Sequence, residues 1–302
     1  MIMKERIQGS IFLFVTTLIW GSAFIAQSVG MDLIGPFTFQ FFRCLLAILF
    51  LIPVSFLFEI GKCSPGESVR RWKDPVLWKT GFICGLALFA AQSLQQIGLV
   101  YTDAGNAGFI TAMYIVLVPI IGLFLGRRLL MNDFIGVALA VVGLYLLSCT
   151  GASGINIGDI CLMGCALGFA VQITLVDRFA KDIDGFRLNC VQAITVTVLS
   201  IPFMFATEKV VVQDVLSCWL PLCYAGVMSM GVAYSLQIIG QKHLPPTEAS
   251  LIMSLESVIA ALCGWAFLKE RMTILELTGC ALVFIAVILS QLPTQKAETA
   301  SA

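Results

Sequence analysis

Two ionisable side chains stand deep inside long apolar runs of this 302-residue chain, Arg43 in the second run and Glu256 in the ninth. A charge at that depth in hydrocarbon costs from about 3 kcal/mol on insertion scales to more than about 10 in simulation, so such a group faces water, an opposite charge or a ligand. With a helical rise of about 1.5 Å per residue, Arg43 lies on the order of 10 Å below the outer surface and Glu256 somewhat deeper, near the middle. Three chemistries suit the pair: a buried salt bridge that fixes two helices, a clamp on a charged solute, or a carboxylate that takes up and releases a proton. Arg43 can also snorkel toward the headgroups, an escape that Glu256 lacks.

A polar lining accompanies the charges. Gln92, Gln95 and Gln96 fall on one helical face at i, i+3 and i+4, and Tyr234, Gln237 and Gln241 are arranged similarly further on. Trp20 and Tyr114 complete the set of candidate substrate-binding residues. Amide and phenol groups on both sides of a cavity suit a zwitterionic or hydroxylated solute. The competing use is hydrogen bonding between helices, worth about 0.6 kcal/mol each in membranes. The small residues of Trp20-Gly21-Ser22-Ala23 and Gly105-Asn106-Ala107-Gly108 allow close helix packing, and Pro119 is expected to kink its helix.

The elements that must hold these residues are helices in lipid. Hydrophobic residues make up 59% of the chain and charged ones 12%, more apolar surface than one soluble core could hide. The apolar runs are about 20 residues long, the length that crosses roughly 30 Å of hydrocarbon. They place ten spans near 7–28, 36–58, 76–101, 104–125, 132–149, 157–177, 187–206, 215–240, 247–267 and 273–291. Gly35-Pro36, Pro65-Gly66, Gly151 to Gly154 and Pro245-Pro246 punctuate them. The start, with Lys4 and Arg6 ahead of an apolar run, has the look of a secretory signal, but no polar domain follows and it is expected to be the first span.

Basic residues set the expected orientation. With the N-terminus inside, 14 of the 18 lysines and arginines fall on the cytoplasmic side, including Arg70, Arg71, Arg127, Arg128, Arg187 and Lys296. Only Lys209, Lys269 and Arg271 fall outside, and Arg43 is left within a span. Both termini are therefore expected in the cytoplasm.

An internal repeat is the strongest signal. Ala91 to Gly98 matches Ala233 to Gly240 at six of eight positions, 142 residues apart, and the register continues through Ala107 with Ala249, Ile110 with Ile252, Gly122 with Gly264 and Arg127 with Lys269. After a one-residue slip Gly136 meets Gly279, and more weakly Gly21 meets Gly168 and Gly35 meets Gly185. The expected fold is an all-α integral membrane protein of about ten helices in two five-helix repeats, residues 1–150 and 151–302. Five is odd, so the second repeat is inverted. Inverted repeats suit alternating access, in which two halves rock about a site at the midplane.

Other classes are disfavoured. The chain has no HExxH, GxSxG or GxxxxGK[ST] pattern, so neither a membrane protease nor an ATP-driven pump is encoded, and no enzyme activity is expected. His243, the sole histidine, falls in a turn. The 11 cysteines, Cys44, Cys84, Cys161, Cys165, Cys263 and Cys280 among them, form no CxxC and no cluster with histidine, so neither metal nor cofactor is expected. Zero formal net charge gives no reason to expect nucleic acid as a partner. The partners expected are a small solute and the bilayer, with coupling to a proton or counter-solute as an option. A passive channel, and a sensor or scaffold without flux, remain alternatives.

The motifs resemble those of the EamA-type transporters of the drug/metabolite transporter superfamily. Trp20-Gly21-Ser22-Ala23-Phe24 looks like that family's first-helix motif; Ser254-Leu255-Glu256 with Leu268-Lys269-Glu270-Arg271 resembles its ninth-helix pattern; Ala107-Gly108-Phe109-Ile110 with Val118-Pro119 resembles the counterpart in the first half. The resemblance implies a ten-helix bundle in a bacterial inner membrane, a central cavity, and secondary transport that exports amino acids, metabolites or drugs. It places Glu256 and Trp20 at matched positions. Ser257 stands where that family usually has proline, and Arg127-Arg128 where it usually has Gly-Glu.

Overall fold

The computed structural model of the chain describes residues 2–127, 131–148, 156–268 and 273–291. Expectations about Arg128, Gly151 to Gly154, Lys269 to Arg271 and Lys296 lie outside the described residues. Among those described, nine helices are long and apolar enough to cross a membrane, and Met131–Leu147 is a shorter apolar helix. In chain order the spans are Ile2–Met31, Pro36–Leu57, Pro75–Tyr101, Ala104–Phe124, Met131–Ser148, Ile157–Phe179, Gly185–Thr207, Trp219–Gln241, Pro246–Ala266 and Ile274–Gln291. A short helix, Pro65–Trp72, joins the second to the third.

The starts follow from local chemistry. Pro36, Pro75 and Pro246 stand in the first turn, where a missing N–H is harmless. Asp74 and Asp184 cap the third and seventh spans, and Asn156 with Asp159 forms a reciprocal capping box on the sixth. The outward faces are apolar: Leu49 is 62% exposed, Met163 62% and Ile288 60%, which fits contact with acyl chains and not with water.

The two halves are related by close contacts that repeat. A Cβ on Gly98 of the third span would meet Leu162 Cγ at 2.6 Å and Gly158 O at 3.2 Å, both on the sixth. A Cβ on Gly240, its counterpart 142 residues on, would meet Leu13 Cγ at 2.9 Å and Gly9 O at 3.0 Å on the first. Gly9 and Leu13 thus correspond to Gly158 and Leu162, a spacing of 149 residues. That spacing corrects the expected register of the first two spans of each half: Gly21 falls opposite Ala170 and Gly35 opposite Asp184, not opposite Gly168 and Gly185. The slip to Gly136 and Gly279 agrees with the contacts, because Gly136 approaches Ala286 O as Gly279 approaches Gly143 O.

The halves are also inverted. The second span runs against the seventh, with Phe37 stacked on Phe203 at 5.1 Å at one end and Phe58 on Phe186 at 5.0 Å at the other. Residue numbers therefore rise along one helix as they fall along its partner.

Three departures from continuous helix shape the centre. The fourth span breaks at Met113 into Ala104–Ala112 and Tyr114–Phe124, and the ninth breaks at Ser254 into Pro246–Met253 and Leu255–Leu268. The kink expected at Pro119 thus appears one to two turns earlier, where Met113 N–H bonds Ile110 O and Val116 N–H bonds Met113 O in tightened turns. The ninth span breaks without a proline after Glu256; Ser257 Oγ instead donates to Gly108 O across the helix pair at 3.2 Å. The eighth span contains ten π-helical residues, Tyr224–Ala233. Asn189 Nδ2 donates to its Met230 and Gly231 carbonyls, whose normal helical partners are displaced.

Candidate functional site

These irregular segments converge on a cavity of about 20 Å³, room for about one water molecule. Of the residues singled out from sequence, Trp20, Arg43, Gln95, Tyr114, Tyr234, Gln237 and Glu256 line it. Gln92 and Gln96 do not. Gln92 is fully buried behind the cavity, where its amide meets Cys44 Sγ at 3.9 Å and Met230 Sδ at 3.5 Å. Gln96 Nε2 donates to Gln27. Gln241, expected on the same face as Gln237, bonds Ile173 O at 3.3 Å.

Arg43 is 2% exposed and turned inward, so it does not snorkel. Its Nη1 donates to Gln27 Oε1 at 2.7 Å, and its guanidinium lies 5.9 Å from the Phe39 ring centre. Nε and Nη2 have no hydrogen-bond partner among the described residues. Glu256 is 3% exposed and accepts from Tyr114 Oη at 3.0 Å. The two charges form no ion pair with each other. A buried guanidinium holding one neutral acceptor retains donor capacity for an anion, and a buried carboxylate holding one phenol retains capacity for a cation.

Neutral groups frame them. Trp20 and Tyr234 rings sit 4.8 Å apart at 57°, and Trp20 Nε1 has no hydrogen-bond partner among the described residues. Gln237 Nε2 donates to Gln172 Oε1 at 3.1 Å while its own Oε1 is left open. The lining is largely built of repeat equivalents: Tyr114 with Glu256 and Gln95 with Gln237 at a spacing of 142, Trp20 with Phe169 and Phe24 with Ile173 at 149. The remaining lining breaks the symmetry: Arg43 corresponds to Gln192, whose amide carbonyl takes a hydrogen bond from Gln172, and Tyr234 and Gln27 correspond to Gln92 and Val176, which lie off the lining.

Sequence reasoning missed Gln27, Phe24, Phe169, Ile173 and Ser229, all on the lining. The spacing of 149 found in the contacts carries Trp20 onto Phe169, whereas the spacing of 147 read from Gly21 and Gly168 leads to Leu167. Gln27 is buried at 4% exposure and bridges Arg43 to Gln96, yet no pattern in the sequence marks it.

Residues 7–149 and 156–292 each match the model of the EamA-like transporter family. An uncharacterized transporter of Archaeoglobus fulgidus is 34% identical over 291 residues, covering 95% of this chain and 87% of its own. The threonine/homoserine exporter RhtA of Salmonella typhimurium is 31% identical over 170 residues, 54% of this chain and 55% of RhtA. A protein of known crystal structure superposes with a TM-score of 0.77 over 97% of this chain and 99% of that one, at 18% identity, which speaks to the fold.

Proposed function

Because the chain belongs to the EamA-like transporter family, we propose that it carries a small zwitterionic solute, an amino acid or a close relative, out of the cell by alternating access. The observation that carries this reading is the separation of charge in the cavity. Arg43 Nε and Nη2 are open to an anionic group, and among the described residues Glu256 takes a hydrogen bond from Tyr114 alone. Trp20 Nε1 adds a donor on the same cavity lining, while Gln237 Oε1 and the Trp20 and Tyr234 ring faces suit an ammonium group. A carboxylate on Arg43 and an ammonium on Glu256 satisfy each buried charge with its opposite.

The cavity is too small for such a solute as it stands, so it must widen as the halves move. Residues 1–150 and 151–302 are taken as the two bodies that rock. The distribution of lysine and arginine supports both termini on the cytoplasmic side of a bacterial inner membrane. No ATP-binding motif is present, so a proton or counter-solute gradient drives uphill export. The test is counterflow in proteoliposomes with solutes chosen by a thermal-shift screen of the purified protein. Saturable exchange that Glu256→Gln abolishes supports the reading; flux unaffected by that change, or linear in solute concentration, contradicts it.

A further inference from the structure

The second and seventh spans are tied together at both ends by carboxylates that correspond in the repeat. At one end Glu208, just past the seventh span, accepts the Phe37 N–H at 2.7 Å, the Thr38 N–H at 2.8 Å and Thr38 Oγ1 at 2.6 Å. At the other end Glu59, just past the second span, accepts Arg187 Nη1 and Nη2 at 2.8 and 2.7 Å. The spacing of 149 that relates Gly9 and Leu13 to Gly158 and Leu162 also carries Glu59 onto Glu208 and Phe37-Thr38 onto Phe186-Arg187. One ring of each aromatic stack keeps the same register, Phe37 on Phe203 and its equivalent Phe186 on Phe58, although Phe203 and Phe58 themselves correspond to Val54 and Thr207. Each half thus sets a carboxylate from the end of one span on the first turn of the matching span in the other half.

We propose that Glu208 with Thr38, and Glu59 with Arg187, are the two alternating locks of the transport cycle, one opening only while the other stays shut. The inference rests on the rocking motion proposed above and assigns the gating to residues outside the cavity. Both locks are closed in this structure, which accounts for a central cavity of only about 20 Å³.

The locks share a frame and differ in strength. Glu208 is held by two backbone N–H groups at a helix N-terminus and one hydroxyl, with no ion pair to a cation among the described residues. Glu59 is held by a bidentate guanidinium and by Arg71 Nη1 at 2.8 Å. The short helix Pro65–Trp72 closes over this second lock: Ser68 Oγ takes Arg187 Nη2 at 2.9 Å, and the Trp72 ring centre lies 5.6 Å from the guanidinium. Arg187 is left 1% exposed. The Glu208 end therefore opens more readily, and under the proposed orientation that end faces out of the cell.

Amide hydrogen exchange of the purified protein in lipid nanodiscs tests this. Glu59→Gln should speed exchange across 58–74 and 183–188 about tenfold and slow it across 34–40 and 208–215, because a population shifted toward one open end is withdrawn from the other. Glu208→Gln should give the mirror image, and the milder Thr38→Ala the same signs at smaller size. Faster exchange at both ends, or a change confined to the substituted end, overturns the locks. Thermal stabilisation by solute is read in parallel on the same variants. If it persists without the reciprocal exchange, the locks fail and the cavity reading stands; if it is absent while the reciprocity holds, the cavity reading fails alone.

Discussion

Tyr114 and Glu256 are the same position in the two halves of the chain, 142 residues apart, and they touch, with Tyr114 Oη donating to Glu256 Oε1 at 3.0 Å. Equivalent residues meet only where a pseudo-two-fold axis passes between them, so this hydrogen bond marks the centre of the molecule. Each lies at the start of the helix that follows a break: Tyr114 is the first residue after Met113 in the fourth span, and Glu256 the second after Ser254 in the ninth. Small motions of either half are therefore felt at this contact, which lines the same cavity as Arg43.

Glu256→Gln keeps the shape of the site and the hydrogen bond from Tyr114 but removes the negative charge. Loss of one charge-assisted bond to solute is worth about 1.5–3 kcal/mol, or a tenfold to hundredfold loss of affinity. Solute-induced thermal stabilisation should fall accordingly, while the solute-free melting temperature holds or rises. Tyr114→Phe should weaken binding by less, since it disturbs only the orientation of the carboxylate.

Arg43 should discriminate by geometry. Arg43→Lys retains the charge but not the planar pair of donors aimed by Gln27, and roughly tenfold weaker binding of carboxylate-bearing solutes is expected. Gln27→Leu, which leaves Arg43 in place without its acceptor, should reproduce part of that loss. Competition binding with an amino acid and its amide checks this: the variants should narrow the preference for the free carboxylate.

Packing at the repeat-related glycines should fail symmetrically. Gly98→Val and Gly240→Val each force a side chain into a leucine and a neighbouring backbone carbonyl, at a cost of about 1–3 kcal/mol apiece. Both should lower the melting temperature in detergent by similar amounts. Gly105→Ala, whose added Cβ has nothing within 4 Å, should leave it unchanged.

Acid should weaken one end of the molecule. Hydrogen bonding from Arg187 holds the Glu59 carboxyl down from 4.5 to about 2. A carboxyl depressed in the folded state contributes stability that is full above its ordinary value and is lost as pH falls from there toward the folded one. The melting temperature should therefore drop by several degrees more for the native protein than for Glu59→Gln between about pH 4.5 and 2. Equal acid slopes for the two would show that the Glu59–Arg187 pair adds no stability.

Much of the architecture was legible because it depends on long-range averages. Twenty-residue apolar runs, an odd number of spans per repeat and the match of Ala91 to Gly98 with Ala233 to Gly240 survive local variation. The cavity was harder. A helical face at i, i+3 and i+4 is wider than the arc that a small cavity touches, so of Gln92, Gln95 and Gln96 only Gln95 reaches it. The π-helical turn of Tyr224–Ala233 changes which side chains point inward, and no residue in it is specific to that geometry. Arg187, counted among the loop cations, instead lies buried in the first turn of the seventh span, because its partner Glu59 is 128 residues away in sequence.

The account stands most directly on one binding measurement: melting-temperature shifts of the native protein with an amino acid, its amide lacking the carboxylate, and its analogue lacking the amine. A cavity that answers Arg43 and Glu256 with opposite charges predicts stabilisation by the amino acid alone, lost in both Glu256→Gln and Arg43→Gln. Equal stabilisation by all three compounds, or a shift that survives both substitutions, would contradict it.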